Sequence, residues 1–152
     1  MINRTITGIL FCILTSLIPV QLTAQNVSEA SYTVKEEIDV MVPMRDGIRL
    51  ATNIYRPDAA GVFPVLLARS PYGNGGAGNR DAHYFASRGY AVVIQDTRGR
   101  GKSEGIFNAN QYETRDGYDM QQWIGEQDWC NGKIGTFGGS YVGFTQWMPA
   151  QL

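Results

Sequence analysis

Histidine, cysteine and net charge are all scarce in this sequence of 152 residues. His83 is the only histidine, which excludes a histidine-rich metal site, and we expect neither a bound metal nor a cofactor. Of the two cysteines, Cys12 lies in a predicted leader, so Cys130 has no intrachain disulfide partner in the mature segment. The formal net charge of -1 gives no electrostatic reason to expect nucleic acid or an anionic membrane as a partner.

Residues 1–24 are predicted to form a secretory signal peptide. Arg4 supplies a short positive region, a mostly apolar stretch follows, and small residues form a cleavage site before Gln25. The apolar stretch is shorter than the roughly 20 residues that a membrane-spanning helix needs, and Pro19 interrupts it. We therefore expect a secreted or periplasmic protein without a membrane anchor once the signal is cleaved.

The rest of the chain predicts a polar linker at residues 25–31 and the N-terminal half of a catalytic domain at residues 32–152. Strand patterns occur at residues 32–42, 49–55, 62–68, 91–94 and 133–137, and helical patterns at 81–88 and 113–127. The first two strands are joined by a short Asp-Gly turn and should run antiparallel. The later elements alternate strand and helix, which predicts an α/β fold with parallel strands and right-handed crossovers.

Ser140 follows the fifth predicted strand, within a glycine-rich run from Gly135 to Gly143. A sharp turn from strand to helix would hold this serine in a strained conformation with its Oγ exposed. The backbone N–H of Tyr141 would then face a developing oxyanion. Gly138 fits the usual G-x-S-x-G pattern, but Val142 stands where the second glycine is expected. On the pattern alone, the alternative is a solvated serine in a glycine-rich turn.

Two other glycine-containing stretches suggest different chemistry. The segment Gly73–Gly78 reads G-x-G-x-x-G, and Asp96 follows at the end of the next strand, which predicts a dinucleotide-binding domain as the alternative enzyme class. However, three residues separate this segment from its strand, whereas the dinucleotide fingerprint opens at the strand's end. Lys102 and Ser103 resemble the end of a P-loop, but that motif requires glycine at position 96.

The elbow sequence, Gly-Gly-Ser-Tyr-Val-Gly at positions 138–143, resembles the G-x-S-Y-x-G elbow of one group of α/β-hydrolases. The group comprises X-Pro dipeptidyl-peptidases, cocaine esterase and α-amino-acid ester hydrolases. Other stretches of this sequence are similar to the group in the same order: residues 42–55, 69–73, 95–105 and 123–132. The resemblance covers nearly everything after the predicted signal.

This resemblance implies that Ser140 is the nucleophile of a serine hydrolase that cleaves an ester or amide. The Tyr72 phenol and the Tyr141 backbone N–H would form the oxyanion hole. Apart from the resemblance, Asp96 and Arg98 are interpreted as structural residues that order their loop rather than take part in the chemistry. The implied substrates are small molecules such as acyl amino-acid esters or X-Pro peptides. Without the resemblance, Tyr72 would be interpreted as a turn aromatic packed on the sheet.

The base and the acid of a catalytic triad are not found after Ser140. In α/β-hydrolases both follow the serine along the chain, but no acidic residue or histidine occurs after Ser140. His83 precedes the serine on a predicted surface helix. We therefore expect an N-terminal fragment that is inactive and not independently stable. A non-catalytic remnant of the fold is the remaining alternative.

Overall fold

The computed structural model describes residues 27–152. The predicted signal peptide, Cys12 and the first two residues of the predicted linker lie outside the described residues, and the predictions made for them stay predictions. Among residues 27–152, no helix is both long enough and apolar enough to cross a membrane.

Every strand and helix that the sequence predicts for residues 32–137 is present. The strands are Val34–Pro43 (β1), Arg49–Pro57 (β2), Phe63–Ser70 (β3), Ala91–Asp96 (β4) and Cys130–Thr136 (β5). The helices are Arg80–Ala86 (α1), Glu113–Gly125 (α2) and Tyr141–Trp147 (α3), followed by a 3-10 turn at Pro149–Gln151. The predicted bounds differ from the observed ones by at most three residues, the largest difference being at the start of β5.

The five strands form one sheet in the order β1-β2-β4-β3-β5. β1 and β2 pair antiparallel, as predicted, and β2 also pairs antiparallel with β4. β3 lies between β4 and β5 and is parallel to both. The carboxyl ends of these three parallel strands therefore meet at one edge of the sheet, where the segments carrying Tyr72, Arg98 and Ser140 begin. The predicted α/β class is confirmed.

Both faces of the sheet carry apolar clusters. One cluster joins β2, β3 and β4 to α2, and the other packs α1 against β2 and β4. Every residue of β4 is buried, including the polar residues Gln95 and Asp96, as befits a central strand that has helices on both faces. In contrast, β5 ends the sheet within the described residues, and most of its residues are exposed.

The sequence of α2 contains a partial apolar stripe of Tyr118, Trp123 and Ile124, but the face that α2 turns toward the sheet differs from it. Met120 and Ile124 are fully buried, and Trp123 is partly buried against the same cluster. The Tyr118 ring instead lies under the Arg45 guanidinium, 5.6 Å from its carbon. Residues two apart on a helix do not share a face, so Tyr118 points away from the side that buries Met120.

Candidate active site

Ser140 lies in a strained turn between β5 and α3. Its backbone angles are φ 56° and ψ -130°, and it occupies the N-cap position of α3 without making a side-chain capping bond. A positive φ at a non-glycine residue costs about 1–3 kcal/mol and is found mainly at functional sites. The serine is exposed, so its hydroxyl is free to meet a substrate at the carboxyl edge of the sheet.

Close packing within the turn explains the glycine at position 138. Gly138 has φ 125°, and a Cβ there would lie 2.3 Å from Cγ1 of Val142. At Gly143, a Cβ would lie 3.4 Å from the carbonyl oxygen of Gly138. Val142 therefore packs against the space that a side chain at position 138 would need. The glycine at position 138 is therefore required by its contact with Val142, the residue that departs from the usual G-x-S-x-G pattern.

The side chain of Tyr141 anchors the turn to α2. Its hydroxyl donates to Oε1 of Glu113 at 3.0 Å and accepts from the backbone N–H of Asn110 at 3.2 Å. Its ring contacts those of Phe107 and Phe144, with centroids 6.1 and 5.5 Å away. Burial raises the pKa of Tyr141, so the phenol stays neutral. Only the backbone N–H of Tyr141, in the first turn of α3, remains available for an oxyanion.

A buried chain of charged side chains supports this anchor. Nη1 of Arg69 lies 3.0 Å from Oε2 of Glu113, and both side chains are at most 3% exposed. Arg98 donates to Asp116 at 2.7 Å and to Asp46 at 2.7 Å. Hydrogen bonding to Asp116 raises the pKa of Arg98, whereas burial lowers that of Arg69. The chain links the β1–β2 turn to the elbow.

The acids of α2 do more than favour the helix dipole. Acidic residues in the first half of a helix are expected to interact well with its dipole, but Glu113, Asp116 and Asp119 each also pair with an arginine from outside α2. The signal that could have revealed this is the spacing of Glu113 and Asp116, which places both on one face of α2. The arginine partners lie 44 and 18 residues away in sequence, so only the fold brings them together.

Asp96 and Arg98 both order the loop after β4, as expected for structural residues. The backbone N–H of Lys102 donates to Oδ2 of Asp96 at 3.3 Å, and a Cβ at Gly101 would lie 1.9 Å from that oxygen. Burial raises the pKa of the Asp96 carboxyl. Both side chains are thus engaged within the loop and its supports.

Tyr72 projects into solvent from the segment after β3. The residue is 72% exposed, and its phenol makes no hydrogen bond within residues 27–152. Its backbone N–H donates to Oγ of Ser70 at 3.0 Å. The alternative of a turn aromatic packed on the sheet is therefore wrong, because packing would bury the ring. The phenol is accessible to a ligand at the same edge of the sheet as Ser140.

His83 is paired with a residue of β1, which lies at the other end of the strand order from β5. Its Nε2 lies 2.5 Å from Oε1 of Glu36, a residue of β1, and the Glu36 carboxylate also accepts from Gly78 N–H. β1 is at one end of the sheet and β5, which leads to Ser140, is at the other. This placement does not suit His83 as the base of Ser140.

The segment Gly73–Gly78 is held by side chains of the protein itself. The Tyr55 hydroxyl donates to the carbonyl of Gly76, and the Asn53 amide donates to that of Asn74 at 3.2 Å. The Asn79 side chain caps α1 by accepting from the N–H of Ala82 at 3.0 Å. The helix start that a pyrophosphate would occupy in a dinucleotide site is therefore already capped.

Within residues 27–152, no cluster of three or more metal-binding side chains occurs.

This strand order, with a strained serine between β5 and the next helix, is that of an α/β-hydrolase. Residues 46–152 match the X-Pro dipeptidyl-peptidase (S15) family, and the chain belongs to it. It is 48% identical over 127 residues to the cocaine esterase of Rhodococcus sp. (strain MB1 Bresler), covering 80% of this chain and 22% of that protein. The chain spans about a fifth of the length of the curated relatives it matches.

Solved structures give the same assignment. A CocE/NonD family hydrolase from Staphylococcus aureus superimposes with a TM-score of 0.70 at 33% identity, covering 76% of this chain and 24% of that one. An α-amino acid ester hydrolase gives a TM-score of 0.68 at 29% identity, covering 91% of this chain and 26% of that one. The resemblance seen in the sequence is confirmed.

Proposed function

We propose that the protein is an exported serine hydrolase that cleaves an ester or amide, with Ser140 as its nucleophile. The observation that carries this proposal is the strained backbone of Ser140 at a helix N-cap where its hydroxyl makes no capping bond. In a strand-to-helix turn, such strain persists only when the surrounding packing enforces it. Here the contact between Gly138 and Val142 supplies that packing.

In the proposed reaction, Oγ of Ser140 attacks the acyl carbonyl and gives its proton to a base. The base passes that proton to the leaving oxygen or nitrogen as its bond to the acyl carbon breaks, and the alcohol or amine departs. Water then attacks the acyl-enzyme and releases the acid. The base and its orienting acid are assigned to sequence outside residues 1–152, because His83 is paired with Glu36 at the far side of the sheet. The prediction that residues 1–152 alone are inactive follows from this assignment.

The oxyanion hole of this proposal comprises the Tyr72 phenol and the Tyr141 backbone N–H. The exposed, unbonded phenol and the N–H at the start of α3 support these roles. A neutral phenol is a suitable donor to a developing oxyanion. Loss of one such donor typically costs about 2.7–4 kcal/mol of transition-state stabilisation.

The proposed substrate is a small-molecule ester or a short peptide, of the acyl amino-acid ester or X-Pro type. The family name and the names of the relatives, cocaine esterase and α-amino acid ester hydrolase, support this class. Dinucleotide binding at Gly73–Gly78 is less well supported, because Asn79 caps the following helix and the loop's carbonyls are already bonded.

The test is labelling of the full-length protein by a fluorophosphonate, which forms a covalent bond with an activated serine. We expect Ser140→Ala to abolish both labelling and ester turnover, and the matched change Ser87→Ala to leave both intact. Labelling that persists in Ser140→Ala would disprove the assignment of Ser140 as the nucleophile. Folded wild-type protein that is neither labelled nor active would indicate the non-catalytic alternative.

The export signal has its own test, which is the N-terminal sequence of the mature protein. A mature N-terminus that does not begin at Gln25 would count against the predicted signal.

A further inference from the structure

The loop between β4 and α2, residues 97–112, contacts both segments that carry the proposed oxyanion donors. One contact reaches the segment of Tyr72 after β3, and the other reaches the Tyr141 side chain at the start of α3. The two donors lie 69 positions apart in the sequence and on different elements. Their relative placement therefore depends on whatever connects the two segments.

Arg100 makes the first contact. Its Nε donates to the carbonyl oxygen of Pro71 at 2.9 Å. That carbonyl belongs to the same peptide group as the N–H of Tyr72, which donates to Oγ of Ser70 at 3.0 Å. The peptide group preceding the Tyr72 side chain is thus held on both sides, and Arg100 supplies one of the two bonds.

The same guanidinium reaches toward Tyr141 through an aromatic ring. The central carbon of Arg100 lies 5.1 Å from the centroid of Phe107, within the range of a cation–π contact. The Phe107 ring in turn contacts the Tyr141 ring, with centroids 6.1 Å apart. Asn110, from the same loop, donates its backbone N–H to the Tyr141 hydroxyl. The Arg100 side chain therefore contacts both the peptide group that precedes Tyr72 and the Phe107 ring that packs against Tyr141.

We propose that Arg100 is a positioning residue that sets the Tyr72 phenol and the Tyr141 N–H at the spacing an oxyanion requires. This inference rests on the proposed function. Arginine suits the role because its planar fork can donate in its plane and stack through its face at the same time. Lysine can supply a donor, but its ammonium has no planar face to lie over Phe107.

The fold of the loop does not depend on the Arg100 side chain, which makes the role testable. Backbone bonds hold the turn, from Gly99 N–H to Glu104 O at 2.9 Å and from Arg100 N–H to Thr97 O at 3.0 Å. Arg100 is itself exposed. Its replacement therefore removes the two contacts without leaving a buried hole.

The experiment measures ester turnover by the full-length protein carrying Arg100→Met, with Arg80→Met as the matched control, since the Arg80 side chain is 97% exposed on α1. A remote change that misplaces a catalytic group lowers the reaction rate by up to about 100-fold. We therefore expect Arg100→Met to lower kcat about tenfold and to change KM by less than about twofold. Arg100→Lys should recover part of the loss, and Arg80→Met should have no effect.

A double-mutant cycle with Tyr72→Phe separates positioning from a general loss of stability. If Arg100 acts through the Tyr72 phenol, Arg100→Met should reduce kcat much less in the Tyr72→Phe background than in the wild type. Equal losses in both backgrounds, or a loss confined to KM, would overturn the role of Arg100 while Ser140-dependent activity remains. Turnover that does not depend on Ser140 would instead overturn the proposed function, and this inference with it.

Discussion

The elbow around Ser140 and the glycine loop Gly73–Gly78 are two glycine-rich turns at the same edge of the sheet. Each follows a parallel strand and precedes a seven-residue helix. In the glycine loop, the N-cap Asn79 uses its side chain to cap α1. In the elbow, the N-cap Ser140 makes no such bond. The proposed catalytic serine is thus distinguished from the glycine loop by a free polar group at a strained turn, and not by glycine content.

The glycines also serve different purposes in the two turns. At Gly73, Gly76 and Gly78, a Cβ would meet no atom within 4 Å, so these positions need glycine for their positive φ alone. At Gly138, a Cβ would collide with Val142 as well as face a positive φ. The loop therefore has room for a Cβ at three of its four glycines, but not at Gly75, where a Cβ would lie 2.1 Å from the Asn79 side chain. In the elbow a Cβ is excluded at Gly138, whereas at Gly139 it would meet no atom within 4 Å.

The largest effect that tests this contrast is expected from Gly138→Ala. The added Cβ would lie 2.3 Å from Val142, at a φ of 125° that alanine avoids. Overpacking and backbone strain together should lower the free energy of unfolding by about 3 kcal/mol. Fluorophosphonate labelling of Ser140 should be lost, because the turn can no longer hold the serine in place.

Gly76→Ala is the matched control, since its φ is also positive but its Cβ position is open. We expect Gly76→Ala to lower the free energy of unfolding by about 1 kcal/mol and to leave the labelling of Ser140 unchanged. A second change, Val142→Gly, should partly restore labelling to Gly138→Ala by removing the colliding atoms. Equal losses in Gly138→Ala and Gly76→Ala, measured by chemical denaturation and labelling rate, would show that the packing contact is unimportant.

Tyr141→Phe and Tyr55→Phe compare how the two turns are anchored. Tyr141 donates to the Glu113 carboxylate, and Tyr55 donates to the carbonyl of Gly76 in the glycine loop. A hydrogen bond to a charged group is the stronger of the two, so we expect losses of about 2 and about 1 kcal/mol in unfolding free energy.

Only Tyr141→Phe should slow labelling of Ser140, because only this tyrosine anchors the elbow. The measurement is the unfolding free energy of each variant together with its labelling rate at saturating probe. If Tyr55→Phe slowed labelling as much as Tyr141→Phe did, both tyrosines would stabilise the elbow. The two turns would then not be anchored independently.

The sequence predicts the elements of this fold well because their signals are local. The buried run of β4, the Asp-Gly turn after β1 and the glycines around Ser140 each fix their own segment. It does not reveal that Arg69 lies against Glu113 or that Arg100 bonds Pro71, because these pairs are far apart in the chain. The strain at Ser140 is predictable only as a consequence of the elbow, since the residue type itself does not favour a positive φ.

The smallest expected effects concern the two helix N-caps. Asn79→Ala removes a capping bond and should lower the unfolding free energy by about 1 kcal/mol. Ser140→Ala removes no capping bond and should change it by less than about 0.5 kcal/mol. Ser140→Gly should be more stable than Ser140→Ala by about 1 kcal/mol, because glycine adopts a φ of 56° without the strain of a Cβ. The measurement is chemical denaturation of both variants. Equal stability would mean that the backbone at Ser140 is not strained, and Ser140 would then differ from Asn79 only in its free hydroxyl.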